Sequence, residues 1–170
     1  PNICLIGEEV AAKKMSLAQV ADQIADSVAA RAAKGWNFGV AIIPEGIVEF
    51  VPEFSVLIAE INELLAGAKA DAFNALPSWN DKYEFIKAGL TAGSFGVFDI
   101  LPQNIQQQLF LERDPHGNVQ VSLIESEKLF SELVKNNLAA RKAAGTYNGK
   151  FGALHHFLGY EGRCAFPSNF

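Results

Sequence analysis

Val40-Ala41-Ile42-Ile43-Pro44-Glu45-Gly46 is the stretch on which the reading of this chain turns. Four apolar, strand-favouring residues run straight into a proline. Buried parallel strands carry near-continuous apolar runs, not alternating ones. Pro44 cannot donate a ladder hydrogen bond, so it marks the strand end. Gly46 permits a sharp turn that would leave the Glu45 carboxylate exposed there. Upstream, Ile3-Cys4-Leu5-Ile6 is a second run of the same kind. Between them, Leu17, Val20, Ala21, Ile24 and Val28 recur at helical spacing. Ser16 suits the N-cap of that helix, and Gly35 suits its stop after about Lys34. This strand–helix–strand unit has the length of a right-handed parallel crossover.

A third apolar run, Ala153-Leu154-His155-His156-Phe157-Leu158, precedes Gly159-Tyr160-Glu161-Gly162-Arg163. In open α/β sheets, ligands bind outside the carboxyl ends of the strands. If the runs are parallel strands of one sheet, Glu45 and Arg163 emerge at one edge. A carboxylate can accept hydrogen bonds from sugar hydroxyls, and a guanidinium can clamp a phosphate bidentately. The pair suits a phosphorylated polyol better than a flat apolar ligand. Each motif has a plainer alternative. Glu45 could be a helix-entry or surface carboxylate. Tyr160 and Arg163, three apart in a Gly-flanked loop, could belong to a surface loop whose Arg pairs with an acid.

The remaining order is a helical block, then a helix and a strand. Pro52-Glu53 opens a helix to about Leu65, stopped by Gly67. From Ala68 to Gly117 the chain reads as short helices, including Trp79 to Ile86 and Pro102 to Leu111. Asp114-Pro115-His116-Gly117-Asn118 is a turn, between a possible pair of short strands, with Asn118 to Ser122 extended. Ser122 and Glu125 form a capping-box pattern. A long helix follows to about Ala144, with Ile124, Leu129, Leu133, Val134 and Leu138 facing inward. Arg141 and Lys142 suit its last turn, and Gly145 stops it. Tyr147-Asn148-Gly149-Lys150 reads as a tight turn, and a strand from about Gly152 to Leu158 follows.

The 170 residues are enough for one domain with a real core. With 49% hydrophobic and 19% charged residues the chain is not disordered. A net charge of −5 gives no field for nucleic acid or an anionic membrane. Two cysteines, Cys4 and Cys164, have no metal spacing and read as reduced thiols in a cytosolic protein. No apolar run approaches the roughly 20 residues that cross a bilayer, and no signal peptide is visible. Glu8 and Glu9, near Lys13 and Lys14, read as a solvated loop. His155 and His156 would face opposite sides of a strand and cannot easily chelate one metal. No Gly-rich phosphate loop, Ser–His–Asp set or general base is evident. The start at Pro1 and the stop at Phe170 lead us to expect a piece of a longer protein.

These residues resemble a known family. Leu5-Ile6-Gly7-Glu8-Glu9-Val10 with Lys13-Lys14, Ile43-Pro44-Glu45-Gly46-Ile47-Val48-Glu49-Phe50-Val51-Pro52-Glu53, and Gly159-Tyr160-Glu161-Gly162-Arg163 with Phe166-Pro167-Ser168-Asn169-Phe170 resemble the long form of pyrophosphate-dependent phosphofructokinase. Gly145-Thr146-Tyr147-Asn148-Gly149-Lys150 shares the likeness. It covers essentially the whole chain, and the motifs are specific together though weak singly. The resemblance implies an α/β, phosphofructokinase-like fold: a short parallel sheet flanked by helices, with a large helical insertion. It divides the chain into 1–53, the β-α-β part of the substrate-binding domain; 54–144, a mostly helical insertion; and 145–170, a strand and substrate loop returning to that domain.

The resemblance also implies an activity: phosphoryl transfer from pyrophosphate to the 1-hydroxyl of fructose 6-phosphate, with Mg2+, in cytoplasmic glycolysis. Substrate-binding residues would be Glu45 on the sugar hydroxyls and the loop Tyr160, Glu161, Gly162 and Arg163, with Tyr160 and Arg163 on the 6-phosphate. The parent would be a homodimer or higher homo-oligomer. Three family segments have no counterpart here: Gly-Gly-Asp-Asp for pyrophosphate and magnesium, Thr-Ile-Asp-Gly-Asp with the catalytic base, and Met-Gly-Arg for substrate. The expectation is an inactive piece carrying one wall of the sugar-phosphate site, with no catalytic residue and no metal ligand of its own. The alternatives are an ATP-dependent relative, a non-catalytic regulatory subunit of the same family, or an unrelated α/β sugar-phosphate binding module.

Overall fold

A computed structural model describes residues 2–36, 40–111, 113–119, 124 and 126–149. The predicted crossover is present. Strand β1 (Ile3–Cys4) leads through α1 (Gly7–Ala12) and α2 (Leu17–Ala32) to β2 (Ala41–Ile42). The strands pair in parallel, Ile3 opposite Ala41 and Cys4 opposite Ile42. Leu5 N donates to Ile42 O at 3.0 Å, and Asn2 Oδ1 accepts from Val40 N at 2.8 Å. Both strands are shorter than the apolar runs that foretold them. Each run gives way to a helix: β1 to α1 at Gly7, β2 to a 3₁₀ helix over Glu45–Phe50.

Helix α2 begins as its sequence requires. The Ser16 side chain accepts from Gln19 N, and the Gln19 side chain accepts from Ser16 N, a complete capping box. Gly35, with φ +79, closes the far end. Leu17, Val20, Ala21 and Ile24 are buried as predicted, while Val28 is only partly covered.

Helices α3 (Pro52–Leu64), α4 (Ala68–Asn74), α5 (Trp79–Gly89), α6 (Ala92–Asp99) and α7 (Gln103–Leu111) follow. Pro52 starts α3 at a position where its missing N–H is not needed. The helices α4 and α6 are absent from the sequence reading, which named only two helices in this stretch. The Asp114–Asn118 turn is present: Asp114 Oδ1 accepts from His116 N and Asn118 N, both at 2.8 Å. Val119 is not in a strand, and residues 120–123 lie outside the described set, as does the predicted capping box of Ser122 and Glu125.

Helix α8 (Ser126–Ala143) packs along α2 and also touches the 3₁₀ helix. Its buried side includes Leu129, Val134 and Leu138 as expected, with Phe130 in addition. Arg141 does more than face the helix dipole. Its guanidinium meets Asp26 at 2.6 Å and Asp22 at 3.3 Å, both on α2. The chain then turns at Ala144–Gly145, where Gly145 has φ +75. The tight turn predicted at Tyr147–Lys150 is not found over 147–149. Tyr147 is buried instead, and burial raises its hydroxyl pKa. A Cβ on Gly149 would collide with that hydroxyl, so a glycine lets the backbone pass beneath it. The predicted strand at 152–158 lies outside the described residues. One hydrophobic cluster runs from Leu5 through Tyr147.

Candidate site at the carboxyl edge of the strands

Both strands point their carboxyl ends toward one edge, because they are parallel. Two helices start there. Helix α1 starts at Gly7 and carries Glu8 and Glu9 in its first turn. The 3₁₀ helix starts at Glu45, immediately after Pro44. Pro44 has φ −61 and ψ 141, an extended residue that caps the 3₁₀ helix two residues after the strand, and its carbonyl accepts from Ile47 N at 3.1 Å. The Glu45 backbone thus lies at the carboxyl end of β2, three residues after its last residue, Ile42. It is also the entry residue of a helix, the plainer alternative raised for it.

Two expectations about this edge need correction. Gly46 has φ −83 and ψ 15, which any residue adopts. A Cβ there would meet nothing nearer than the Glu49 carboxyl carbon at 3.9 Å. The turn after Pro44 is made by the 3₁₀ hydrogen bonds, without glycine's special freedom. Likewise, Glu8 and Glu9 are not in a loop. The strand stops at Cys4 and α1 begins at Gly7, early enough to include them. Glu9 pairs with Lys13 at 2.9 Å, one helical turn on, with both side chains well solvated. Such a pair contributes a few tenths of a kcal/mol, about 0.3–0.5.

The sequence reading missed the glycine that shapes this edge, which is Gly7. A Cβ on it would lie 2.5 Å from the Phe50 ring. Helix α1 and the 3₁₀ helix therefore approach across Gly7 and Phe50, over the buried side chains Val10, Ile47 and Val48. The signal available was a glycine directly after an apolar run, the usual mark of close backbone approach. Helix α8 also contacts the 3₁₀ helix. Tyr160, Glu161, Gly162 and Arg163 lie outside the described residues, so the structure does not bring them to Glu45 or separate them from it. Among the described residues, no group of three His, Cys, Asp or Glu could hold a metal ion. No described helix is long and apolar enough to cross a membrane.

The strongly shifted acid among the described residues lies on α5, in the helical block. Tyr83 is pushed up to about 12, first by its hydrogen bond to the Asp99 carboxylate, then by burial. A phenol held that way keeps its proton at neutral pH and is no base.

No protein-family model matches the chain. Individual proteins do. The chain is 49% identical, over all 170 residues, to the pyrophosphate–fructose 6-phosphate 1-phosphotransferase of Treponema pallidum, and covers 30% of that protein. It is 51% identical over the same 170 residues to the beta 1 subunit of that enzyme from Arabidopsis thaliana, covering 28% of it. The beta subunit from Solanum tuberosum gives the same two figures. The chain is homologous to a segment of these enzymes. It spans a little under a third of the length of the curated relatives it matches. The family resemblance drawn from the Pro-Glu-Gly and Tyr-Glu-Gly-Arg motifs is thereby upheld. So is the α/β fold with a short parallel sheet and many helices.

Proposed function

We propose that this chain forms one wall of the fructose 6-phosphate site in a pyrophosphate-dependent phosphofructokinase. The observation that carries the reading is Glu45 at the carboxyl edge of a parallel strand pair, within a chain about half identical to such enzymes. That edge is where open α/β sheets receive ligands. Glu45 accepts hydrogen bonds from sugar hydroxyls. Tyr160 and Arg163 hold the 6-phosphate, the phenol as a donor and the guanidinium as a bidentate clamp, with Glu161 and Gly162 completing the loop. Residues 54–144 act as a helical insertion between the two substrate-contacting segments. Phosphoryl transfer rests mainly on positioning and charge stabilisation, and this wall supplies positioning. The described residues do not fit a Mg2+ site, so no step is assigned to a metal held by them. The enzyme would work in the cytoplasm, in glycolysis, as a homo-oligomer.

The test is Glu45→Gln in the full-length enzyme. Glutamine keeps the shape and one acceptor oxygen but loses the charge. Removing a charged hydrogen-bond partner typically costs about 1.5–3 kcal/mol, or roughly ten- to a hundredfold in affinity. The expected result is a KM for fructose 6-phosphate raised by that factor, with the KM for pyrophosphate nearly unchanged. Unchanged sugar-phosphate kinetics with a markedly lower Tm would make Glu45 a helix-entry residue only.

A further inference from the structure

The first N–H groups of a helix have no partner inside it. At α2 the Ser16–Gln19 box satisfies Ser16 N and Gln19 N. Leu17 N donates elsewhere, to the Glu53 carboxylate at 2.6 Å, 36 positions away in sequence. Glu53 is half-buried and lies in the first turn of α3. Its charge is therefore shared by the starts of two helices, where a negative group is favoured. The sequence gives Glu53 only the opening of α3; its bond to Leu17 N is visible only in the fold. That bond holds the carboxyl end of the 3₁₀ helix. Phe50, the last residue of that helix, lies against Gly7 at the start of α1. Between Phe50 and Glu53, Pro52 fixes its own φ and keeps Val51 extended, at φ −87 and ψ 109. Val51 is also fully buried. Few free torsions thus separate the Glu53 carboxylate from the 3₁₀ helix. At the other end of that helix stands Glu45.

We propose that Glu53 is a positioning residue for the sugar-phosphate site: by its bond to Leu17 N it fixes the 3₁₀ helix that begins at Glu45. The proposal rests on the assignment of Glu45 to the sugar hydroxyls. Small displacements of a substrate-holding group carry large kinetic costs, so the far end of a short helix matters to the group at its start. The solvated pair of Glu9 and Lys13 is too weak for such a task. The Glu53 bond is of another kind, a short, half-buried, charge-assisted bond to a backbone N–H. What it requires is an acceptor oxygen at that reach. Glutamine supplies one, whereas aspartate is a methylene too short and alanine has none.

The experiment measures KM for both substrates, kcat and Tm in the full-length enzyme. Glu53→Ala, Glu53→Asp and Glu53→Gln are each made alone and together with Glu45→Gln. Glu53→Ala is expected to raise the KM for fructose 6-phosphate by about three- to tenfold, less than loss of a contact group itself, with the KM for pyrophosphate nearly unchanged. Glu53→Gln should restore the wild-type KM to within about twofold. Combined with Glu45→Gln, Glu53→Ala should add little, because the two residues act through one contact. Glu53→Asp should behave as Glu53→Ala does, and it carries the test if the alanine variant is unfolded at the assay temperature. The proposal is overturned by a folded Glu53→Ala or Glu53→Asp with unchanged sugar-phosphate KM, by an equal rise in both KM values, by failure of Glu53→Gln to rescue, or by full additivity with Glu45→Gln. If Glu45→Gln alone leaves the sugar-phosphate KM unchanged, the assignment of Glu45 fails and this proposal with it. If Glu45→Gln raises that KM and Glu53→Ala does not, this proposal alone fails.

Discussion

In the block α3 to α7, aromatic rings close on one another, whereas at the strand pair the apolar side chains of Ile6 and Val40 are about half exposed among the described residues. Phe73 stacks near Phe110 with ring centres 5.0 Å apart, and Tyr83 meets Phe95 edge-on at 5.6 Å. Phe98 touches the rings of Tyr83, Phe95 and Phe110 and is fully buried. Polar ties within the block add to the rings: Tyr83 donates to Asp99, and Glu60 on α3 accepts from Thr91 at the start of α6, while Glu53 of α3 reaches out of the block to accept from Leu17 N. The strand region instead depends on approach distances, such as Gly7 against Phe50. The contrast teaches that a helical block can satisfy much of its packing within itself. Two parallel strands cannot, because their faces and edges need partners from elsewhere in the chain.

The sharpest attempt to break the contrast is Phe98→Ala in the helical block. Truncating a fully buried Phe costs about 3–5 kcal/mol. The expected result is a large fall in Tm. Trp79 lies in the block and Trp36 follows α2, so single-tryptophan variants report the two regions separately. Because one hydrophobic cluster joins the regions, both probes should shift together. A Trp36 transition that stays put while the Trp79 transition falls would show two independent units.

The intermediate effect belongs to the strand edge. Gly7→Val places two methyls beside a ring that leaves no room even for a Cβ. Overpacking of this kind costs about 1–3 kcal/mol, and the half-exposed Phe50 ring can swing aside, which favours the lower end. Gly46→Ala at the same edge should cost nothing measurable, since φ is negative and the space is open. Thermal melts of the two variants side by side decide it. Equal destabilisation would mean that the edge tolerates no side chain anywhere, and that Gly7 has no special part in joining the two helices.

These variants also locate where sequence reading succeeds. Helix α2 was legible because its start is a local chemical event, Ser16 and Gln19 bonding each other's backbone. The Asp114–Asn118 turn was legible for the same reason. The end of β2 near Glu45 was legible because the apolar run there closes on Pro44, which cannot donate to a ladder. Helix α6 was not. Gly93 and Gly96 each disfavour helix by about 1 kcal/mol, and what offsets them is tertiary: packing on α3, and Glu60 from α3 at its cap. Helix α4 is seven residues, too short to show a period. Gly7 was illegible as a spacer because Phe50, which needs the space, is 43 positions away in sequence. Gly46 was misread because a glycine after proline suggests a turn, although the backbone there is ordinary.

The smallest expected effect tests whether the block's polar ties matter as its rings do. Glu60 accepts from Thr91 N at 3.0 Å and from Thr91 Oγ1 at 2.9 Å, while Thr91 Oγ1 caps Ser94 N at 3.3 Å. The backbone hydrogen bond from Thr91 holds the Glu60 carboxyl below its ordinary value of 4.5, with the Ser94 side chain assisting. A carboxyl with a lowered folded pKa binds fewer protons folded than unfolded. Its contribution is therefore present in full above about pH 4.5 and lost as pH falls through the folded pKa. Glu60→Gln keeps one acceptor oxygen and removes the charge. Because the pair is solvated, the loss near neutral pH should be under about 0.5 kcal/mol. The difference in Tm between wild type and Glu60→Gln should shrink toward zero on acidification and stay flat at higher pH. A difference that grew on acidification would reverse the sign of the linkage and remove Glu60 as a charged cap of α6. A difference as large as that of Phe98→Ala would mean that the block is held by its polar ties as much as by its rings.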